Sequence, residues 1–224
     1  MKKSDICSIV PVLNEEKTIG NLVRKLRVFS KVIVIDDCSS DNSFKKSQMS
    51  GVQVLKNPIN YGYDKSLVLG FRKGKDLKSK YLISFDGDGQ HSLKDFKKVI
   101  KYLTFGYSVV SGKRNSFQRI SEKLFSIYTS FFHGIIDPLT GLKGYNLKFC
   151  QDLGIFDFNH NIGTKVLLNC SRKKKKFIEI NIKIKKRKFK QASRFGSLFS
   201  SNVKIFFALF KTIFQDLTFF IIKK

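Results

Sequence analysis

The sequence predicts an α/β fold in which a mostly parallel central sheet is flanked by helices. Three observations predict it. Apolar runs of strand length recur along the chain, helical patterns lie between them, and an acidic segment is followed at once by a helix-start signal.

The runs are Ile6–Val12, Val32–Ile35, Val52–Leu55, Tyr81–Phe85 and Ser108–Ser111, each bounded by polar or turn residues and read as a buried strand. Between them, Ile19, Leu22, Val23 and Leu26 share one helical face, and Phe96, Val99, Ile100 and Leu103 share another. The alternation is βαβαβ. Ser92 followed by Asp95 resembles a capping box, so a helix is expected directly after Asp86–His91. That puts the acidic segment at a strand's carboxyl end, where open α/β sheets bind ligands.

Beyond Asn115 the pattern changes. Leu124–Ile136 is a Phe-rich amphipathic stretch, followed by the loop Asp137–Gly141, and a strand-like run over Phe177–Ile184 lies between basic runs at Arg172–Lys176 and Lys185–Lys190. The organisation expected is a catalytic unit over residues 1–200 and an amphipathic helix over 201–224. A spanning helix needs about 20 mostly apolar residues, and Lys211 and Asp216 interrupt this one. An interfacial helix at an anionic membrane surface suits the pattern; a helix packed on the protein's own core, a dimer or a membrane-protein partner is the alternative.

The chain of 224 residues carries 43 Lys and Arg against 17 Asp and Glu, a formal charge of +26 that draws phosphates. Nucleic acid is excluded as the partner, because acidic strand ends make a poor surface for a polyanion. Cys7, Cys38, Cys150 and Cys170 show no CxxC pairing, sit in apolar or near-apolar runs that read as buried, and fit a reduced, cytoplasm-facing protein. The amino terminus lacks the apolar stretch of a secretory signal.

Asp86-Gly87-Asp88 places two carboxylates two residues apart just as a strand ends. Hard oxygen ligands suit Mg²⁺ or Mn²⁺ bridging to a diphosphate; a solvated turn is the plainer reading. The turn Asp36–Asp41 offers a carboxylate to a nucleobase or ribose, with helix capping by Asp41 or Asn42 as the alternative. His91 reads as a polar group near the helix start, and His133 and His160 as isolated.

The order Val10-Pro11-Val12-Leu13-Asn14-Glu15-Glu16, then IDDCSSD, Asn60-Tyr61-Gly62 and DGDGQH resembles glycosyltransferase family 2. Within that family it is similar to the polyprenyl-phosphate sugar transferases, of which dolichol-phosphate mannose synthase is the familiar member. Gly112-Lys113-Arg114, the Asp137 loop, Glu179 and Ser193–Gly196 are further matching landmarks. The resemblance implies a GT-A nucleotide-diphospho-sugar transferase fold. It implies that Pro11, Asn14, Glu15 and Asn60 line the nucleotide pocket and that Asp37 contacts base or ribose. Asp86 and Asp88 would serve the diphosphate and metal, with Gln90 beside them; Arg114 and Arg194 would neutralise phosphates. Asp137 would sit in the acceptor-side loop as a candidate base. The chain departs from the family pattern at Ser66, at Thr164, where an acidic residue is frequent, and after Arg194.

The function expected is inverting transfer of a sugar from a GDP- or UDP-sugar to a polyprenyl phosphate at the cytoplasmic membrane face. A saccharide hydroxyl as acceptor and a catalytically silent membrane scaffold are the alternatives.

Overall fold

A computed structural model describes residues 2–154, 162–185 and 198–222. Seven strands form one sheet: β1 (Ile6–Val12), β2 (Lys31–Asp36), β3 (Val52–Lys56), β4 (Tyr81–Ser84), β5 (Val109–Arg114), β6 (Lys143–Asn146) and β7 (Phe177–Ile182), in the order β3-β2-β1-β4-β6-β5-β7. Only β6 runs antiparallel, between β4 and β5. The helices are α1 (Ile19–Leu26), α2 (Ser43–Ser47), α3 (Tyr63–Asp76), α4 (Leu93–Thr104), α5 (Ile120–His133), α6 (Leu147–Asp152), α7 (Ile162–Arg172) and α8 (Leu198–Ile222).

Successive side chains along a strand point to opposite faces, and the core divides accordingly. Ile9, Ile33, Ile35 and Leu82 pack with Leu67 and Phe71 of α3 and Val166 of α7. Val10, Val34, Ile83 and Phe85 pack on the other face with Ile19, Leu22 and Val23 of α1 and Phe96 and Val99 of α4. Helix α4 starts at Ser92, whose hydroxyl oxygen accepts the Asp95 amide, as the sequence signal predicts. Every residue of β1 is buried.

Three expectations need correction. Val52–Leu55 is not a buried strand: β3 is the sheet's edge and Leu55 is exposed. Cys38 is exposed, in a loop at φ 66°, while the other three cysteines are buried. β6 was not foreseen, because Lys143-Gly144-Tyr145-Asn146 has neither an apolar run nor a regular alternation. Its glycine answers a packing need: a Cβ at Gly144 would overlap Val99 and Leu103 of α4.

Helices α5 and α8 lie parallel. Ser121 Oγ meets Asn202 Oδ1 at 2.6 Å near their starts, Phe125 packs on Ile205 and Leu209, and His133 Nε2 lies 2.9 Å from Asp216 Oδ2 near the end of α5. Tyr128 OH donates to the same Asp216 oxygen at 2.8 Å, and Arg172 donates to the other through Nε at 2.7 Å, with its Nη2 in ion-pair contact at 2.6 Å. His133 is therefore not isolated, and α8 is not a detached appendage: one face lies on α5. Its other face exposes Val203, Phe207, Phe210, Phe214 and Leu217, and α5 exposes Ile120, Leu124, Ile127, Phe131 and Phe132. Among the described residues no helix is long and apolar enough to cross a membrane. His160 lies outside the described residues.

Burial alone would raise the Asp216 carboxyl, but the hydrogen bonds from His133 and Tyr128 and the charge of Arg172 hold it below its ordinary value. A depressed carboxyl contributes stability that is complete above the unfolded pKa of about 4 and fades as pH falls through the folded value. Asp216→Asn is expected to lower unfolding stability by about 3 kcal/mol at neutral pH, by leaving Arg172 buried with a partner removed. Its deficit relative to the parent should shrink in denaturant titrations performed below pH 4.

Candidate functional site

The carboxyl ends of β2, β1 and β4 open at one side of the sheet, because these three strands run parallel. Val12 pairs with Asp36, and Phe85 N donates to Ile9 O at 3.0 Å, so Asp86–Asp88 continues alongside the end of β1. Gly87 makes this approach possible: a Cβ there would stand 3.1 Å from Val12 Cγ2 and 3.3 Å from Pro11 O. Pro11 itself is buried inside β1, with its carbonyl beside Gly87.

The loop after β1 is stitched to the turn after β2. Asn14, at φ 56°, accepts Ser40 N on its side-chain oxygen at 2.9 Å and donates its amide to Ser39 Oγ at 3.0 Å. Glu15 N donates to Ser43 Oγ at 2.7 Å, and Glu16 N to Asp41 Oδ2 at 3.1 Å. Asp41 also accepts Ser43 N at 2.8 Å, so it is Asp41, not Asn42, whose side chain caps the start of α2.

Asp37 is buried and organises the next loop. Its Oδ1 accepts Asn57 Nδ2 at 2.7 Å and Tyr61 N at 2.9 Å, and its Oδ2 accepts Gly62 N at 2.7 Å. Asn60 is exposed and its side chain accepts Gly62 N at 3.1 Å. Gly62 has φ 88°, the left-handed region that favours glycine. The next residue, Tyr63, opens α3 and donates its hydroxyl to Asp86 Oδ1 at 3.0 Å. A continuous path thus runs from Asp37 to Asp86.

Asp86 and Asp88 are partly open to solvent. Asp86 Oδ2 lies 3.4 Å from Nε2 of the buried His91, and Asp88 Oδ1 accepts Gln90 N at 3.0 Å. The Gln90 side chain donates Nε2 to Lys185 O at 2.9 Å, while Lys185 N donates back to Gln90 O at 3.1 Å. No group of three or more His, Cys, Asp or Glu of ligating arrangement occurs among the described residues. Two partly exposed hard carboxylates at one strand end fit Mg²⁺ or Mn²⁺, which take their remaining oxygens readily from phosphates and water.

A second group of residues lies beside the first. Arg114, at the end of β5, donates Nε to Asp137 Oδ2 at 2.7 Å and Nη2 to Asp137 Oδ1 at 2.9 Å. Its Nη1 lies 3.2 Å from Glu122 Oε2, and Arg119 Nη1 bonds the other Glu122 oxygen at 2.7 Å. Asp137 is fully buried. With both oxygens on the Arg114 fork it anchors that arginine. Glu179 of β7 accepts Ile136 N and Asp137 N, each at 2.7 Å; burial raises its carboxyl above the ordinary range despite those two donors. Thr164, in the position expected to be acidic, donates to Pro138 O at 2.9 Å. The loop then meets the first group, since a Cβ at Gly141 would overlap the Asp86 carboxylate. Arg194 lies outside the described residues.

Sequence reasoning missed Tyr63, Arg119, Glu122 and Lys143. Arg119 and Glu122 carry a usable signal, opposite charges three apart at the start of a helical pattern; Tyr63 carries none, because its partner Asp86 is 23 residues away, and Lys143 carries none, because nothing local marks a lysine for burial.

A mostly parallel sheet with a carboxylate pair at its strand ends and a mixed edge beyond defines a GT-A nucleotide-diphospho-sugar transferase fold. The fold matches glucosyl-3-phosphoglycerate synthase from Mycobacterium tuberculosis, solved with Mn²⁺, UDP and phosphoglyceric acid, at TM-score 0.67 and 14% identity over 91% of this chain and 78% of that one. The chain belongs to glycosyl transferase family 2, whose model matches residues 7–180. It is 36% identical over 117 residues to an uncharacterized protein of Methanocaldococcus jannaschii, covering 51% of this chain and 48% of that one. It is 25% identical over 170 residues to the UDP-N-acetylglucosamine–dolichyl-phosphate N-acetylglucosaminyltransferase of Methanococcus voltae, covering 62% and 68%. The chain therefore spans from about half to two thirds of the length of these two curated relatives.

Asp137→Asn tests the anchor. It should lower stability by about 3 kcal/mol, as expected when one partner of a buried ion pair is lost. The pH–rate profile should keep its shape, whereas loss of the limb belonging to a base would show that Asp137 transfers a proton.

Proposed function

We propose that this chain is an inverting glycosyltransferase that moves a sugar from a GDP- or UDP-sugar to a polyprenyl phosphate at the cytoplasmic face of a membrane. One observation carries the reading: the Asp86–Asp88 strand end and the Arg114–Asp137 loop are packed directly on each other, with Gly141 against Asp86. A donor-side and an acceptor-side group in contact are what a direct displacement needs.

In this reading Asn14, Glu15 and Asn60 border the nucleotide, and Asp37 faces base or ribose while it holds the Tyr61–Gly62 backbone. Asp86 and Asp88 would hold Mg²⁺ or Mn²⁺ beside the donor diphosphate, where such an ion would offset the negative charge of the leaving group. Tyr63 fixes the orientation of Asp86. Arg114 and Arg194 serve the phosphates of donor or acceptor. A phosphate acceptor is already an anion near neutral pH, so it attacks the anomeric carbon without a strong base. The closed Arg114–Asp137 pair suits such chemistry. The relative from Methanococcus voltae, named for a dolichyl-phosphate acceptor, supports the same acceptor class.

The exposed apolar stripes of α5 and α8 support the membrane assignment. Lys204 and Lys211 are exposed on α8 beside that stripe, and the pairing of aromatics with lysines is the composition of an interfacial helix. The four thiols are unpaired, which fits the reducing cytoplasmic side.

Purified protein given Mg²⁺ or Mn²⁺, a panel of labelled GDP- and UDP-sugars and a polyprenyl phosphate should move label into the organic phase with one donor. Donor binding without such transfer would redirect the search to saccharide acceptors, and no binding at all would favour the scaffold. Asp88→Asn should reduce turnover by at least about a hundredfold with an unchanged melting temperature; full activity would remove the carboxylate from the site. Replacing Phe207, Phe210 and Phe214 together by Ser spares the buried face of α8 and should release the protein from anionic liposomes; undiminished sedimentation would refute the membrane seat.

A further inference from the structure

Several backbone groups of the loop that carries Asp137 are committed. Glu179 takes the amides of Ile136 and Asp137, Ser84 Oγ donates to Gly141 O at 2.8 Å, and Gly112 N donates to Leu142 O at 2.9 Å. Two of the carbonyls between, those of Pro138 and Thr140, receive Lys143 Nζ at 3.0 and 2.5 Å. Lys143 is only 2% exposed. Lysine is almost never fully buried, and burial disfavours its charged form. An apolar residue would serve a strand core at lower cost, so the ammonium has a task in the loop.

What the loop supports is Asp86. The Gly141 backbone occupies the space against that carboxylate so closely that a Cβ there would overlap it. Ser84, two residues before Asp86 in the same segment, pins the Gly141 carbonyl, and Ser84 pairs with Lys143 across β4 and β6. The lysine, the loop and the carboxylate therefore form one mechanical unit.

We propose that Lys143 is a positioning residue for the transfer reaction: by gripping the Pro138 and Thr140 carbonyls it sets Gly141 against Asp86, and so fixes the spacing between the acceptor loop and the donor-side carboxylate. The proposal rests on Asp86 being part of the donor site. It goes beyond that reading in assigning the buried cation as the source of the spacing. A role in folding alone would make Lys143 replaceable by any group that restores the melting temperature. A positioning role makes it replaceable only by a group that donates to both carbonyls.

The test compares Lys143→Met, Lys143→Arg and Gly141→Ala with the parent chain in three measurements: thermal melting, Mn²⁺ binding in the presence of UDP or GDP by titration calorimetry, and hydrogen exchange of the ligand-free backbone over residues 82–90. Loss of a group that orients a metal-binding carboxylate weakens metal binding by about 10- to 100-fold, and that is the result expected for Lys143→Met, together with faster exchange over 82–90. Lys143→Arg should recover most of both, and Gly141→Ala should weaken Mn²⁺ binding with the lysine intact. A Met variant that melts earlier but binds Mn²⁺ like the parent and exchanges normally over 82–90 overturns the proposal. If the parent binds no Mn²⁺ with either nucleotide, the donor-site reading has failed separately. The exchange measurement then still decides whether Lys143 holds Asp86: faster exchange upholds the coupling, and unchanged exchange overturns it.

Discussion

The parallel registration of β2, β1 and β4 is the constraint on which the rest of the molecule depends. β1 is buried along its whole length, and its partners bring Asp36 level with Val12 and run the segment after Phe85 along the same strand. A slip of one residue would exchange the two faces of the sheet and carry Ile9 and Val10 into each other's layers. It would also part the loops that are now stitched by Asn14, Ser39, Ser43 and Asp41. The site is thus an outcome of packing first, and its polar bonds refine a geometry already imposed by apolar burial.

The far half of the site is organised differently. There the decisive contacts are ionic and buried, with Arg114 and Arg119 facing Asp137 and Glu122. Such groups add little net stability compared with well-packed apolar residues, while the loss of one member is expensive. Their effect is to select one arrangement of the loop among those that the sheet alone would allow. Asp216 does the same for α8, joining Tyr128, His133 and Arg172 from α5 and α7 to a helix whose outer face is apolar.

Much of this was legible in the sequence where the signal is local. The strand-length apolar runs gave β1, β2 and β4, the Ser92–Asp95 pattern gave the start of α4, and the acidic residues beyond β4 fell at a strand's carboxyl end. Non-local pairings were not legible. β6 is short, carries lysine and glycine, and exists because β4 and β5 lie on either side of it. Tyr63 touches Asp86 over 23 residues of chain and His133 touches Asp216 over 83. Edge exposure of β3 and the exposed Cys38 likewise depend on what lies next door, which an apolar run does not reveal. Asp137 shows the same limit: its motif places it in a loop, but its burial and its two bonds to Arg114 depend on residues far along the chain.

The contact between Gly141 and Asp86 also bears on how such an enzyme can diverge. Because the carboxylate fills the space that any side chain at 141 would need, this point of the Asp137 loop is closed to variation while Asp86 keeps its place. Variation in this loop is therefore left to its other positions. A single glycine thus ties the freedom of one loop to the fixed place of a carboxylate on another strand.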